Sequence, residues 1–131
     1  MINFLEIREK TQNMNLLYVE DDSVTRMSDL YLYEQMFDEV FVATNGQEGL
    51  ELFLENRDSI DIVITDESMP ELNGTQMIRE IRKVNKEMLI YLFSGYSDFE
   101  IAPQIEELSI CANFTKPVNY TDFVDSLKSK L

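Results

Sequence analysis

This 131-residue chain is predicted to fold as one α/β domain built on a doubly wound parallel sheet. Three observations predict it. Short apolar runs alternate five times with segments of helical period, an order that implies parallel strands covered by helices on both faces. The runs are rich in β-branched and aromatic residues and have the length of strands buried on both sides. Punctuation is sparse, with four glycines and three prolines, and no linker or internal repeat divides the chain.

Residues 1–14 precede the first strand. Ile2, Phe4, Leu5 and Ile7 could form a short extra helix or strand packed on the body or on a second copy; the expectation is a frayed tail. Leu16-Leu17-Tyr18-Val19 is the first strand. Val24 to Phe37 reads as the first sheet-covering helix, with Ser23 a candidate N-cap. Tyr31 and Tyr33 cannot both face the core from that helix, so one is expected at the surface. Val40 to Ala43 is the second strand, followed by a helix whose face carries Leu50, Phe53 and Leu54. Ile60 to Thr65 is the third strand, dented by Asp61 near its start, and Met77, Ile78, Ile81 and Val84 share one face of the next helix. Met88 to Phe93 is the fourth strand. The stripe of Ile101, Ile105 and Leu108 marks a fourth helix that contains Pro103, which is tolerable in a first turn and disruptive later. That helix is expected to be the shortest or most mobile. Ala112 to Thr115 is the fifth strand, and Tyr120, Phe123, Val124, Leu127 and Leu131 form the cleanest helical stripe, the fifth.

Composition removes whole classes of chemistry. There is no histidine, hence no Ser-His-Asp or Cys-His nucleophile and no His-based zinc site. The lone Cys111 excludes thiolate clusters and an internal disulfide, which fits a reducing compartment, and a cytoplasmic location is expected. Twenty-five acidic against eleven basic residues leave a formal charge of −14. That sign repels phosphate backbones and anionic lipid, so no direct nucleic-acid or membrane partner is expected. No apolar run approaches the ~20 residues of a membrane span, and the N-terminus lacks a signal peptide's basic start and apolar stretch.

In an open α/β sheet, ligands bind beyond the carboxyl ends of the strands, near the switch point of the strand order. The strand ends here carry Glu20-Asp21-Asp22, then Asp66 followed by Glu67-Ser68-Met69-Pro70 and Gly74, then Ser94-Gly95, and Lys116-Pro117. Read alone, each has a bland meaning: a solvated helix cap, a surface lysine, a capping serine whose task Ser97 or Asp98 could take. Their convergence on one edge is the signal. Asp21 or Asp22 beside Asp66 would crowd like charges, which raises a pKa or demands a cation. A hard ion such as Mg2+ takes one or two carboxylates and leaves room for phosphate oxygens. Lys116 adds a compact positive charge, a carboxylate can act as nucleophile toward phosphorus, and Ser94 can donate to the phosphate.

Over residues 15–131 these motifs together resemble the receiver domains of two-component response regulators, of the stand-alone, chemotaxis-regulator-like type. The resemblance implies a flavodoxin-like (βα)5 fold with strand order 2-1-3-4-5. It implies that Asp66 is a phosphoacceptor served by a histidine sensor kinase or phosphotransferase. It also implies that Asp21, Asp22 and Asp66, with the Ser68 backbone carbonyl, hold Mg2+, one acid acting through water. Lys116 is then the phosphate contact, Ser94 the switch hydroxyl, Gly95 the small residue keeping the pocket open, and Lys116-Pro117 a bond often cis in the family. The chain departs from the pattern at one place: Asn113 stands where the family often has an aromatic switch residue, and strand alternation turns Phe114 to the opposite side.

With no output domain after Leu131, the expected action is docking on a protein target, through the surface of the fourth and fifth helices, or on itself as a homodimer. Alternatives are a constitutive interaction module without a phosphorylation cycle, or the receiver part of a longer regulator. A haloacid-dehalogenase-type hydrolase wants Asp-x-Asp, whereas Ser68 stands two residues after Asp66. Flavodoxin itself would need a Gly- and hydroxyl-rich phosphate loop where Glu20-Asp21-Asp22 stands.

Overall fold

The structure, a computed structural model, describes residues 4–131. In chain order the elements are α1 (Phe4–Thr11), β1 (Asn15–Val19), α2 (Ser23–Met36), β2 (Glu39–Ala43), α3 (Gly46–Asn56) and β3 (Ile62–Asp66). They continue with α4 (Gly74–Val84), β4 (Leu89–Ser94), α5 (Asp98–Leu108), β5 (Ala112–Thr115) and α6 (Tyr120–Lys130). All strand pairs are parallel and the sheet order is β2-β1-β3-β4-β5. The chain reverses its direction of growth between β1 and β3, so the carboxyl ends of those strands frame the crevice where a ligand can sit.

Strand alternation divides the core into two layers. Leu17, Val19, Val63, Ile90 and Leu92 face α3, α4 and α5, where Phe53, Met77, Ile78, Ile81 and Ile101 meet them. Leu16, Tyr18, Ile62, Ile64, Tyr91 and Phe93 face the other way, against Tyr33, Met36, Phe123, Val124 and Leu127 of α2 and α6. Between α2 and α6 a buried carboxylate ties the elements together: Tyr18 donates its hydroxyl to Asp29 at 2.6 Å, and Tyr120 donates to the other oxygen. Tyr33 is buried and Tyr31 exposed, as their spacing requires.

Three expectations about helices are corrected. The N-terminal segment is not a frayed tail: α1 packs on α2 and α6, with Ile7 fully buried and the Thr11 hydroxyl donating to Met36 O at 2.5 Å. An ion pair from Lys128 to Glu6 (3.0 Å) closes the outer edge. Ile2 and the side chain of Phe4 lie outside the described residues. Asp22, not Ser23, caps α2. Finally, α5 is not the shortest sheet-covering helix; it runs 11 residues, as do α3, α4 and α6. A capping box of Ser97 and Glu100 secures its start, ahead of Pro103.

The burial of Ile7 gives a stability prediction. Ile7→Ala is expected to cost about 2–4 kcal/mol in urea unfolding, because the methylenes it removes leave a cavity between α1, α2 and α6. Leu5→Ala, at a position that is 77% exposed, is expected to stay within about 0.5 kcal/mol. Equal losses would mean that α1 does not dock through Ile7.

Candidate functional site

Asp66 is the last residue of β3, opposite Phe93 on β4, so the sheet register itself delivers its carboxylate to the crevice. The chain must turn sharply there. Gly74 N donates to Glu67 O at 2.9 Å, and a Cβ at Gly74 would lie 2.3 Å from Asp66 O, so only glycine fits that approach. Glu67 turns away from the pocket and accepts from the N–H and hydroxyl of Thr75 at the start of α4. Met69 and Leu72 pack the loop onto the α4 side of the core.

Lys116 enters from the end of β5. Its backbone N–H donates to Ser94 O at 2.7 Å, its bond to Pro117 is cis, and its Nζ lies 3.0 Å from Asp66 Oδ1 and 3.2 Å from Glu20 Oε1. Burial opposes its charge, but hydrogen bonds and charge from Asp66 and Glu20 outweigh that and raise its pKa.

Around this amine the carboxylates that converge are Glu20, Asp21 and Asp66, whose oxygens lie within 4.8 Å of one another. This corrects the acidic pair by one residue. Asp22 is exposed and its Oδ2 is spent on the cap of α2, accepting from Thr25 N at 2.8 Å and from the Thr25 hydroxyl at 2.6 Å. Those bonds hold its pKa below the usual carboxylate value. Glu20 takes its place because its N–H still pairs with Ala43 O (3.1 Å): sheet pairing runs one residue past the apolar run and buries the Glu20 side chain to 3% exposure. Arg26 holds the turn from behind, donating to Glu20 O at 2.9 Å.

The electrostatics of this group ask for a cation. Burial first, and then the Asp66 charge, push the Glu20 carboxyl up to about 7, against the Asp22 N–H and Lys116, which pull it down. One lysine cannot neutralise three converging carboxylates, and an all-oxygen donor set suits a hard divalent ion. The residues therefore fit Mg2+. An open cleft of about 400 Å3, walled by Glu20, Thr25, Phe93, Lys116 and Val118, gives approach from the α2 side.

Ser94 ends β4, fully buried, and does not cap α5; Ser97 does that. Its hydroxyl meets the side chain of Asn113 at 2.7 Å, while Phe114 points to the opposite face of the sheet, stacked on Tyr91 and edge-on to Phe123. Ser68 is exposed in the loop two residues past Asp66. A Cβ at Gly95 would meet nothing within 4 Å, so packing inside the domain does not demand glycine there.

A five-stranded 2-1-3-4-5 sheet that presents clustered acids opposite one lysine defines a receiver-type signalling domain rather than a conventional enzyme. The family model for the response regulator receiver domain matches residues 16–128, and the chain belongs to that family. A receiver domain protein from Clostridium thermocellum is 32% identical and superposes with a TM-score of 0.79 over 88% of this chain and 92% of its own. The CheY of Borrelia burgdorferi, solved with CheX, BeF3 and Mg2+, is 19% identical and shares the fold at a TM-score of 0.81, covering 98% of this chain and 94% of that one. Among curated proteins, the sensor kinase CckA of Brucella abortus is 28% identical over 88% of this chain, and the transcriptional regulatory protein GlrR of Escherichia coli is 31% identical over 80%. The chain spans 12% and 23% of those two proteins' lengths.

Proposed function

We propose that residues 15–131 are a working phosphoacceptor receiver of a two-component phosphorelay, with residues 1–14 as an N-terminal extension. Asp66 is the nucleophile. The observation that carries this reading is the position of Lys116 Nζ, within 3.2 Å of both Asp66 and Glu20, two of the three carboxylates of the cluster. An oxygen of Asp66 attacks the phosphorus of a phosphohistidine on a sensor kinase or phosphotransferase. The new P–O bond forms as the P–N bond breaks, and the imidazole leaves with the electron pair and takes up a proton. Lys116 holds Asp66 in place before the reaction and pairs with the phosphoryl oxygens after it. Ser94 offers its hydroxyl to the same group. Glu20, Asp21 and Asp66, with the Ser68 carbonyl, would hold Mg2+, one acid through water. The ion supplies the positive charge that offsets the crowded carboxylates and the incoming phosphoryl group. Both phosphorylation and later hydrolysis are catalysed by these groups of the chain itself.

The acyl phosphate adds about −1.5 to −2 charges in a pocket already acidic, and the domain responds by redistributing between two states that partners distinguish. A protein target docking on α5 and α6, or a second copy of the chain, reads that change in the cytoplasm. The reading is tested by incubation with a small phosphodonor and Mg2+, followed by intact mass and gel filtration. Gain of one phosphoryl group, lost on chelation of Mg2+ beforehand, is the expected result. An unchanged mass with a folded protein would overturn it.

A further inference from the structure

Asn113 is a buried amide on β5, 6% exposed, with every polar atom of its side chain engaged. Its Nδ2 donates to Tyr96 O at 2.9 Å and to Asp98 Oδ1 at 3.1 Å. Two acceptors on one side fix which way the amide faces, because the reversed orientation would set its oxygen against a carbonyl and a carboxylate. The atom facing Ser94 is therefore Oδ1, which can only accept. Ser94 must donate to it, at 2.7 Å, and the Ser94 oxygen in turn accepts from Tyr96 N at 3.2 Å.

A second acceptor, Tyr96 O, lies 3.3 Å from the hydroxyl, but the 2.7 Å contact to an amide oxygen that can only accept commits the single proton of Ser94 to Asn113. Its residue is the last of β4, with Asp66 of β3 paired opposite Phe93 next to it. Turning the hydroxyl proton toward a phosphoryl group on Asp66 breaks the bond to Asn113 and leaves a buried amide oxygen without its donor. Orphaning such an oxygen shifts an equilibrium roughly tenfold. The amide can recover a donor only by moving, and its other end is anchored to the loop and first residue of α5. The Tyr96 carbonyl gathers a further bond from the Thr115 hydroxyl at 3.3 Å, so the loop is held from β5 as well as by Ser94 of β4.

From this arrangement we infer that Asn113 is the positioning residue for Ser94. It opposes the turn of that hydroxyl toward the acceptor, and it transmits the turn, when it occurs, to the start of α5 through Tyr96 and Asp98. The inference rests on the phosphoacceptor role of Asp66 and deepens it.

The test uses the whole chain with beryllofluoride and Mg2+ as the phosphoryl mimic, followed by NMR of the backbone amides and of the Asn113 side-chain NH2 pair. In the wild type, the Asn113 NH2 signals and the amides of Tyr96 to Glu100 shift together on binding. Asn113→Ala is expected to bind the mimic about tenfold more tightly, since no acceptor is orphaned, while the α5 amides cease to respond. Asp98→Ala keeps Asn113 and Ser94 but removes an anchor on α5; it is expected to bind within about twofold of wild type and to lose most of the α5 response. This second variant decides the question where Asn113→Ala does not fold. Unchanged affinity with an intact α5 response in both variants, or in Asp98→Ala alone where it is the only folded one, overturns the inference. A wild-type chain that does not bind the mimic overturns the phosphoacceptor role itself, which the variants' behaviour alone would leave standing.

Discussion

Asp66→Asn is expected to leave the chain unlabelled by any phosphodonor, a fall of roughly 10³-fold or more in the rate of phosphoryl uptake. An amide oxygen carries no charge to attack phosphorus and cannot form an acyl phosphate by simple displacement. The substitution also changes the pocket in a way that is read without any phosphodonor. The Asp66 charge is the second cause, after burial, of the raised Glu20 pKa, so removing it lets the Glu20 carboxyl fall from about 7 toward its ordinary value. Lys116 loses its partner at 3.0 Å, and its own pKa falls as well. NMR titration of the variant, read at the Glu20 carboxyl carbon and at the Lys116 Cε, checks both shifts. Labelling that survives would move the nucleophile to another acid. Glu20 is the other buried carboxylate of the three-acid cluster, since Asp21 is exposed.

The architecture and half of this site are legible in the amino-acid sequence, and the reasons differ by residue. Asp66, Ser94 and Lys116 each terminate an apolar run, so a coarse reading of five strands already sends them to one edge. Glu20 escapes that reading because an apolar run marks where burial of hydrophobic side chains ends, not where backbone pairing ends. Its bond to Ala43 lies one residue further on. A signal for it did exist: Asp22 stands three residues before Thr25, the spacing of an N-cap, and a carboxylate engaged there is held toward the helix start rather than the crevice. Asn113 is legible only as a departure, because its role depends on the Tyr96 carbonyl and Asp98, which belong to a different loop. The docking of α1 was hidden for a related reason. Eight residues whose fully buried positions are Ile7 and the polar Thr11 give too short an apolar stripe to separate a packed helix from a frayed end.

The pocket also makes stability and metal affinity depend on pH in opposite senses. Without divalent cation, Glu20 has a folded pKa of about 7 against an ordinary 4.5, so the folded state holds the proton more tightly than the unfolded one. The unfolded chain therefore binds fewer protons between those values, and stability falls as pH rises from about 4.5 through about 7, then levels off. Mg2+ competes with that proton. Below pH 7 the ion must displace it, and above pH 7 it meets a carboxylate already ionised. Affinity is accordingly expected to rise roughly tenfold between pH 6 and pH 8, with one proton released per ion at the lower pH. Thermal melts at the two pH values, with and without Mg2+, are expected to show a metal-free protein less stable at pH 8 and a Mg2+-induced increase in Tm larger there. Glu20→Gln removes the titrating group. It is expected to flatten the metal-free pH profile and to abolish the pH dependence of Mg2+ binding while weakening that binding overall. Asp22→Asn, by contrast, keeps a capping oxygen for Thr25 and lies outside the cluster, so it should leave Mg2+ affinity within about twofold. If Asp22→Asn costs as much affinity as Glu20→Gln, the acid pair of the cluster is Asp21 and Asp22 after all, and the burial of Glu20 serves the fold alone.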